Sequence, residues 1–338
     1  MNNDLKYKCE EFLKTKGLWK NSYEIKENTN KSGQSKSFFV INNKNIKKLI
    51  IKFFNYTEEI DKGILNIETI NSIDDFISMI DNSNSTIDIE KIIELIEINR
   101  RLFNRYVEVC INYDCGYPKI YEYEECIKIG NDFWGIIVEE VIDGITLEMY
   151  FKMKEKNKDL YSEVIDFISK ISKSLAELNR FKIVHRDLSP DNIIKNGDRY
   201  TIIDPGVIKM LDKNQTKTFG YIFGKDFYAS PEQYQGYASK ADFSSDLYSL
   251  GIISFEYILG YNPLKKYIDT AKGELPHKLL LYNLDREVED DFFENIEENK
   301  FTRRLYYFLC KLVQVEKRYR FKDMNEYLDF LSMIEGGL

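Results

Sequence analysis

The chain has 338 residues and a formal net charge of −8, with 43% hydrophobic and 14% aromatic residues. This composition is that of a folded protein, and the length allows about two domains or one large two-lobed domain. It excludes a small disulfide-stapled protein. The acidic balance argues against general nucleic-acid binding, because phosphate contacts need a basic surface.

The first residues, MNNDLKYKCEEFLKTKG, are too polar for a secretion signal, and no apolar stretch of about 18 residues follows them. Five cysteines are scattered along the chain, without the paired spacing of a zinc site. We therefore expect a soluble cytoplasmic protein that keeps its thiols reduced and has no membrane partner.

The first half of the chain alternates helical and extended patterns. Residues 4–16 have the apolar spacing of a short amphipathic helix, and SYEIKEN, SFFVINN and KKLIIKFF predict three antiparallel strands. Residues 55–99 carry eleven acidic residues against two lysines, and we interpret them as a solvated acidic insertion ahead of a helix. We predict that helix from about Asp88 to Asn112, followed by two strands, PKIYEYEEC and DFWGIIVEEV.

The second half of the chain has a helical pattern. The segment EVIDFISKISKSLAELN places six apolar side chains on one helical stripe. These are Val164, Phe167, Ile168, Ile171, Leu175 and Leu178. The segment LYSLGIISFEYILG is apolar nearly all round, which indicates a helix at the centre of a domain. The pattern predicts an α+β protein with a β-rich half over about 1–141 and a helical half over about 142–338.

The segment IVHRDLSPDNIIKNGDRYTIIDPG contains the residues with the clearest chemical meaning. Asp187 and Asn192 are five residues apart on a loop, and Asp204 follows twelve residues later at the end of an apolar strand. Transfer of a phosphoryl group needs one carboxylate to orient the attacking hydroxyl and oxygen ligands to hold Mg²⁺ on the phosphates. Asp187 suits the first task, and Asn192 and Asp204 suit the second.

This segment resembles the protein kinase family, whose catalytic loop has the pattern H-R-D-L-x-P-D-N and whose metal-binding segment has D-F-G where this chain has D-P-G. The resemblance covers roughly residues 20–335, and the chain is similar to bacterial relatives of eukaryotic serine/threonine kinases. It implies a two-lobed α+β kinase fold, with residues 1–141 as the N-lobe, which would carry the acidic insertion, and residues 142–338 as the C-lobe.

The resemblance also assigns the groups that contact phosphate. The segment LIIK looks like the V-A-I-K strand of kinases, so Lys52 would contact the α and β phosphates of ATP. The helix glutamate that pairs with this lysine is best matched by Glu108, with Glu97 as the second choice. Glu139 falls where the family usually has a gatekeeper residue, and we interpret it as an inward-facing acid that finds Lys52 as its partner.

The segment VEEVIDGITL resembles the family's connection between the lobes, which binds adenine through its backbone. The carbonyl of Glu140 and the amide and carbonyl of Ile142 would then face the purine. Three apolar side chains are candidates to sandwich the base, and each of them is equally acceptable as plain core: Phe38, Ile50 and Ile194.

Two further segments resemble architectural elements of the family. The segment ASPE matches A-P-E, and SDLYSLG matches the start of the family's buried helix. The resemblance pairs Glu232 with an arginine near the end of the chain, which we assign to Arg318, because a buried carboxylate needs a cation. These elements belong to the family's activation segment and its supports, and they separate the chain from small-molecule kinases, which lack this segment.

The chain departs from the family pattern at several positions. Only Gly33 remains of the glycine-rich loop that covers the phosphates, and Pro205 replaces the phenylalanine after Asp204. Ser189 stands where serine/threonine kinases have a lysine, and Lys225 stands where they have a threonine. Either the ammonium and hydroxyl groups have exchanged places, so that the Lys225 ammonium neutralises charge beside Asp187, or Lys225 is simply solvated.

The expected function is ATP-dependent phosphoryl transfer to serine or threonine hydroxyls of a protein substrate, including autophosphorylation, with Mg²⁺ as the cofactor. The degenerate glycine loop and Pro205 leave a pseudokinase as the alternative, a module that binds nucleotide and regulates a partner without transferring phosphate. A kinase for a small molecule is a third reading, which the activation segment disfavours.

Overall fold

A computed structural model of the chain describes residues 2–28, 35–57, 72–81, 89–154, 159–205, 209–210, 225, 227–268 and 273–336. The chain divides into two compact units. The first unit comprises Met1–Asp114 and Pro118–Ile142, and the second comprises Cys115–Tyr117 and Asp143–Leu338. The first is rich in strands and the second in helices, as the sequence pattern predicts.

The first unit is built on a five-stranded antiparallel sheet of order β1-β2-β3-β5-β4. Its strands are β1 Glu24–Glu27, β2 Ser35–Ile41, β3 Lys47–Asn55, β4 Ile120–Ile129 and β5 Asp132–Glu140. Its helices are α1 Asn2–Thr15, α2 Ile73–Asp81 and α3 Ile89–Asn112. The extended segments and the two helices expected around residues 4–16 and 88–112 are confirmed.

The sheet of the first unit buries both of its faces. Helix α1 packs one hydrophobic cluster with the side chains of one face, among them Phe38, Ile51 and Val138. Helices α2 and α3 build a second cluster, which includes Phe133 and Ile137 of strand β5. Successive side chains of a strand point to opposite faces, so the register assigns each residue of β2, β3 and β5 to one of these two environments.

The acidic stretch contributes to the second cluster. Ile73 and Phe76 of α2 and Ile96 of α3 are 2%, 0% and 0% exposed. Arg100 of α3 binds the Asp74 carboxylate at 2.9 Å, which ties the two helices together. The interpretation of residues 55–99 as a solvated insertion is therefore wrong for α2 and the first half of α3, because their apolar face is core. Within the rest of the stretch, residues 58–71 and 82–88 lie outside the described residues.

The second unit combines short strands with helices. Its strands are β6 Ile145–Thr146, β7 Ile183–Val184, β8 Ile193–Asn196, β9 Arg199–Ile202 and β10 Lys209–Met210. Its first helices are α4 Leu147–Met153, α5 Leu160–Arg180, α6 Pro231–Tyr234, α7 Phe243–Leu259 and α8 Lys265–Ile268. The last are α9 Pro276–Asn283, α10 Glu289–Asn295, α11 Lys300–Leu312 and α12 Met324–Glu335.

Helices α5 and α7 form the centre of the second unit. All six apolar residues of the stripe predicted on α5 are buried. Helix α7 buries nearly every residue, begins at a capping box formed by Asp242 and Ser245, and ends at Gly260 in the left-handed conformation that glycine favours. Both predictions are confirmed. Across the described ranges, no helix has the length and apolarity needed to cross a membrane.

Candidate active site

Asp187 lies on the loop between β7 and a short 3₁₀ turn at Pro190–Asn192. The buried Asn192 side chain donates its amide hydrogens to the Asp187 carboxylate and to the Asp187 backbone carbonyl, each at 2.9 Å. The structure thus brings together two of the residues that the sequence assigns to phosphoryl transfer. Because its nitrogen is used in this way, Asn192 keeps its amide oxygen as the group it can offer to a cation.

The environment of Asp187 favours a carboxylate that accepts protons near neutral pH. The pKa of Asp187 is raised to about 6, because burial and the nearby Asp204 charge raise it more than the Lys225 charge and the Asn192 hydrogen bond lower it. The Asp187 carboxylate also accepts a hydrogen bond from the backbone N–H of Lys225. A general base is most effective when its pKa lies close to the working pH.

The loop that carries Asp187 is anchored to helix α7. The backbone N–H groups of His185 and Arg186 donate to the two oxygens of the Asp246 carboxylate, both at 2.8 Å. Gln233 of α6 donates to the Arg186 carbonyl at 2.7 Å. Arg186 has a φ of 65°, a conformation that non-glycine residues rarely adopt and that these bonds hold in place.

His185 is part of this anchor. Its side chain is 0% exposed, stacks on Tyr117 and lies 3.3 Å from the Ile203 carbonyl. Burial lowers the pKa of His185 to about 4, so the ring is neutral at pH 7. These contacts make His185 a packed residue that supports the loop.

Asp204 follows strand β9 by two residues and is half-buried. Its φ is 59°, in the left-handed region that aspartate tolerates better than most residues. The neighbouring Ile203 N–H donates to the Asn192 carbonyl at 2.9 Å, which joins this segment to the catalytic loop. A carboxylate and an amide oxygen are the hard oxygen ligands that Mg²⁺ prefers, so the donor set of Asp204 and Asn192 fits this ion.

Lys225 is the one residue described between 211 and 226, and it contacts the catalytic loop. Its ammonium forms an ion pair with Asp191, which also accepts a hydrogen bond from Ser189 at 2.8 Å. Burial lowers the pKa of Lys225, and the Asp187 charge opposes this effect. The ammonium therefore acts electrostatically on Asp187 while its ion pair is with Asp191, a contact that the sequence analysis missed.

Lys52 of β3 is buried in the first unit with a carboxylate and a hydroxyl. Its ammonium lies 2.8 Å from the Glu139 carboxylate and donates to the Tyr106 hydroxyl at 2.8 Å. Tyr106 in turn donates to the second oxygen of Glu139 at 2.6 Å. The expectation that Glu139 points inward and finds Lys52 is confirmed.

The choice of Glu108 as the carboxylate beside Lys52 is corrected accordingly, because Glu139 supplies it. Helix α3 contributes Tyr106 to the cluster, and Glu108 stands two residues further along the helix. Two residues correspond to about 200° of helical rotation, so Glu108 lies on the side of α3 opposite Tyr106. There its charge acts on Arg105.

The register of β2 and β3 corrects one of the adenine candidates. Phe38 pairs with Ile51 and is 2% exposed in the core with α1, on the face of the sheet opposite Lys52. Ile50, two residues before Lys52, shares the face of Lys52 and is half-buried. The residue opposite Ile50 is Phe39, also half-buried, and the sequence analysis missed it by one position.

The remaining nucleotide candidates are placed as follows. Glu140 ends β5, and its backbone N–H donates to the Lys119 carbonyl at 2.8 Å, while Ile142 is half-buried two residues later. Ile194 is half-buried on β8 of the second unit, opposite Thr146 and Thr201. Gly33 lies outside the described residues.

Glu232 pairs with Arg320, and the assignment to Arg318 is wrong by two residues. The Arg320 guanidinium binds both oxygens of Glu232 at 3.0 Å and also donates to the Gln314 carbonyl at 2.7 Å. Arg318 is 69% exposed and pairs with Glu316. Burial raises the pKa of Glu232, but Arg320, Ser245 and Lys317 outweigh it and bring the pKa down to about 2.

The Glu232–Arg320 ion pair predicts how two arginine substitutions change stability. We expect Arg320→Met to lower the free energy of unfolding by about 3–5 kcal/mol, because it removes the cation that binds both oxygens of the buried Glu232 carboxylate. Arg318→Met, in an exposed pair, should change it by less than about 1 kcal/mol. Chemical denaturation measures both values. Equal losses in the two variants would contradict the assignment.

The same pair predicts a pH dependence. The folded-state pKa of Glu232 is depressed from 4.5 to about 2, so its contribution to stability is present above about pH 4.5 and is lost as the pH falls towards 2. Glu232→Gln should remove this part of the acid destabilisation. Thermal unfolding between pH 2 and pH 6 measures it.

His277 is a buried residue to which the sequence analysis assigned no role. It is the second residue of α9, and its Nε2 lies 2.9 Å from the Ala229 carbonyl. The ring packs against Tyr234 and Tyr248, and burial lowers its pKa to about 4. His277 therefore supports the ASPE segment. Its immediate neighbours, Pro276 and Lys278, offer no signal of this burial.

Comparison with known proteins shows the family of the chain. The protein kinase domain family matches residues 77–329, three quarters of the chain. The chain belongs to this family, and its β-rich and helical units are those of the two-lobed α+β kinase fold. The match begins within α2, so strand β3 and Lys52 lie ahead of it.

Three curated relatives illustrate the likeness. A probable serine/threonine-protein kinase of Clostridium acetobutylicum is 29% identical over 201 residues, 59% of this chain and 28% of the relative. Probable serine/threonine-protein kinase PknB of Lactococcus lactis is 35% identical over 129 residues, 38% of this chain and 20% of the relative. Serine/threonine-protein kinase PrkC of Bacillus subtilis is 33% identical over 129 residues, 38% of this chain and 19% of the relative. The matched segments thus span less than a third of these relatives.

Proposed function

We propose that this chain is a serine/threonine protein kinase that transfers the γ-phosphoryl group of ATP to hydroxyl groups of proteins. The observation that carries the proposal is the Asp187 carboxylate, held by the Asn192 amide and the Lys225 backbone N–H in a loop with the family's catalytic sequence. The relatives whose names state serine/threonine-protein kinase activity support the choice of acceptor.

In this mechanism, Asp187 orients the acceptor hydroxyl and takes up its proton. A bond forms between the acceptor oxygen and the γ phosphorus, the bond from that phosphorus to the bridging oxygen breaks, and ADP leaves. Asn192 and Asp204 hold Mg²⁺, which neutralises charge on the phosphates when it is bound. Lys52 and Lys225 supply further positive charge to the phosphoryl groups.

The nucleotide contacts stay proposals. We assign adenine recognition to the backbone of Glu140 and Ile142 and to the side chains of Ile50 and Ile194, and we replace Phe38 by Phe39. Gly33 is retained as the residue that allows backbone to approach phosphate. We place the reaction in the cytosol, where ATP is available and five scattered cysteines stay reduced.

Incubation of the purified chain with γ-labelled ATP, Mg²⁺ and a cell lysate tests this function. We expect label in protein, recovered as phosphoserine and phosphothreonine, and label on the chain itself. Label confined to small molecules would contradict a protein acceptor. Tight nucleotide binding without any transfer would contradict kinase activity and indicate the pseudokinase alternative.

The placement of Lys225 makes a kinetic prediction. Lys225→Thr should lower kcat by about a hundredfold, because it removes a cation that acts beside Asp187. The double variant Lys225→Thr with Ser189→Lys should recover much of the loss, since a lysine at position 189 stands two residues from Asp191 and returns the ammonium to the loop. Steady-state kinetics with saturating ATP measure both.

The matched control is Lys322→Thr, which removes an exposed lysine outside any helix and should leave kcat unchanged. A nearly silent Lys225→Thr, or a double variant no better than either single variant, would show that Lys225 has no catalytic part.

A further inference from the structure

Glu139, whose carboxylate binds the Lys52 ammonium, belongs to strand β5 in the sheet of the first unit. Residue Ile50 of β3 pairs with Glu139 of β5, and Lys52 pairs with Ile137. Lys52 and Glu139 are thus diagonal neighbours on one face of adjacent strands, a separation that long side chains bridge. Their ion pair is built into the hydrogen-bonded register of two neighbouring strands.

Both charges are removed from water. The Lys52 and Glu139 side chains are 6% and 3% exposed. A buried charge is costly unless a group of opposite charge compensates it and hydrogen bonds satisfy the remaining atoms. Glu139 supplies the compensating charge, so the orientation of the Lys52 ammonium is coupled to the position of the Glu139 carboxylate.

Tyr106 of α3 binds both Lys52 and Glu139 through its neutral hydroxyl. Its hydroxyl accepts from Lys52 and donates to Glu139, so each of the three groups is bonded to the other two. The ring is 0% exposed and packs edge-on against Phe54. A tyrosine with a fixed ring can offer its hydroxyl in only a narrow range of positions, which limits the rotamers of both partners.

We propose that Glu139 is the positioning residue for Lys52 and that the Tyr106 hydroxyl fixes the orientation of both side chains. No glutamate of helix α3 is then needed for phosphoryl transfer. This inference rests on the proposed role of Lys52 as a phosphate contact. The strand register holds the ion pair formed, and among the contacts described for this pair helix α3 contributes the neutral hydroxyl and ring of Tyr106.

A double-mutant cycle tests the proposal through kcat/KM for ATP. Lys52→Met should lower kcat/KM by about a hundredfold or more, and Glu139→Gln by about a hundredfold, the scale on which misplacement of a reacting group is felt. In the Lys52→Met background, Glu139→Gln should cause no further loss, because Glu139 acts through Lys52. A merely structural role of Glu139 would give losses that multiply.

Two single variants complete the test. Tyr106→Phe removes one hydroxyl and should lower kcat/KM by about tenfold, which keeps the proposal testable if Glu139→Gln fails to fold. Glu108→Gln is the matched control on the same helix and should leave kcat/KM within about twofold of wild type. Circular dichroism and thermal unfolding confirm that each variant is folded.

The outcomes separate the two proposals. An active Lys52→Met enzyme would overturn the role of Lys52 and this inference with it. A defective Lys52→Met enzyme with unimpaired Glu139→Gln, or with unimpaired Tyr106→Phe when Glu139→Gln does not fold, would overturn the inference alone. A Glu108→Gln enzyme as defective as Glu139→Gln would return the positioning role to helix α3.

Discussion

We expect Asp187→Asn to lower phosphoryl transfer by about a thousandfold, within the range for removal of a general base, and to leave the fold intact. The substitution keeps the shape of the side chain and removes the charge that orients the hydroxyl and receives its proton. The carboxylate of Asp187 is bonded by Asn192 and by the Lys225 N–H, whereas the loop itself is anchored through the backbone to Asp246. Initial rates with γ-labelled ATP, together with a melting curve, measure the two effects.

Asp198→Asn is the control for this experiment. Asp198 is an exposed aspartate in the turn between β8 and β9, eleven residues along the chain, and its loss should leave the rate unchanged. A rate for Asp187→Asn near that of wild type would remove Asp187 from the mechanism. An unfolded Asp187→Asn protein would instead assign it a structural role.

We expect Asp204→Asn to remove most of the nucleotide binding that depends on Mg²⁺. Asparagine tolerates the left-handed backbone of position 204, so the substitution tests the charge without disturbing the φ of 59°. Loss of the negative charge of this ligand should weaken Mg²⁺–ATP binding by about a hundredfold, which removes about 2.7 kcal/mol of ligand-induced stabilisation. Phosphoryl transfer should fall in parallel.

Thermal unfolding with ATP measures this effect, with Mg²⁺ present or with a chelator in its place. We expect a large ATP-induced rise in Tm for wild type with Mg²⁺, a small rise without Mg²⁺, and a small rise for Asp204→Asn under both conditions. Equal rises for wild type with and without Mg²⁺ would show that nucleotide binding does not use the ion.

Periodicity and spacing along the chain predict the elements and the catalytic loop well. The apolar stripe of α5 follows from six residues at helical spacing, and all six are buried. The loop from His185 to Asn192 is local in sequence, so its internal contacts, such as the bond from Asn192 to Asp187, follow from a short motif. Local patterns are therefore sufficient where the partners are close along the chain.

Position across a sheet is harder to predict. An error of one residue moves a side chain to the opposite face, and this error separates Phe38, which is core, from Phe39, which shares the face of Lys52. The two phenylalanines are adjacent and chemically identical, so only the strand register distinguishes them. The same register brings Glu139 beside Lys52.

Contacts between distant parts of the chain are the other source of error. Glu232 has two candidate arginines, and the structure selects Arg320, whose side chain is 0% exposed, over the exposed Arg318. The acidic residues around α2 conceal the buried Ile73 and Phe76, because charge composition describes the solvated face of a helix and not its packed face. Burial of His277 likewise depends on packing that its neighbours in sequence do not specify.

The most direct test of kinase activity is a paired measurement of products from the purified chain incubated with ATP, Mg²⁺ and a protein acceptor. We expect the amount of ADP released to equal the amount of phosphoserine and phosphothreonine formed, determined by mass spectrometry, and both to vanish in Asp187→Asn. ADP release without phosphoprotein would indicate hydrolysis. The absence of both products from a folded wild-type chain that binds Mg²⁺–ATP would contradict phosphoryl transfer altogether.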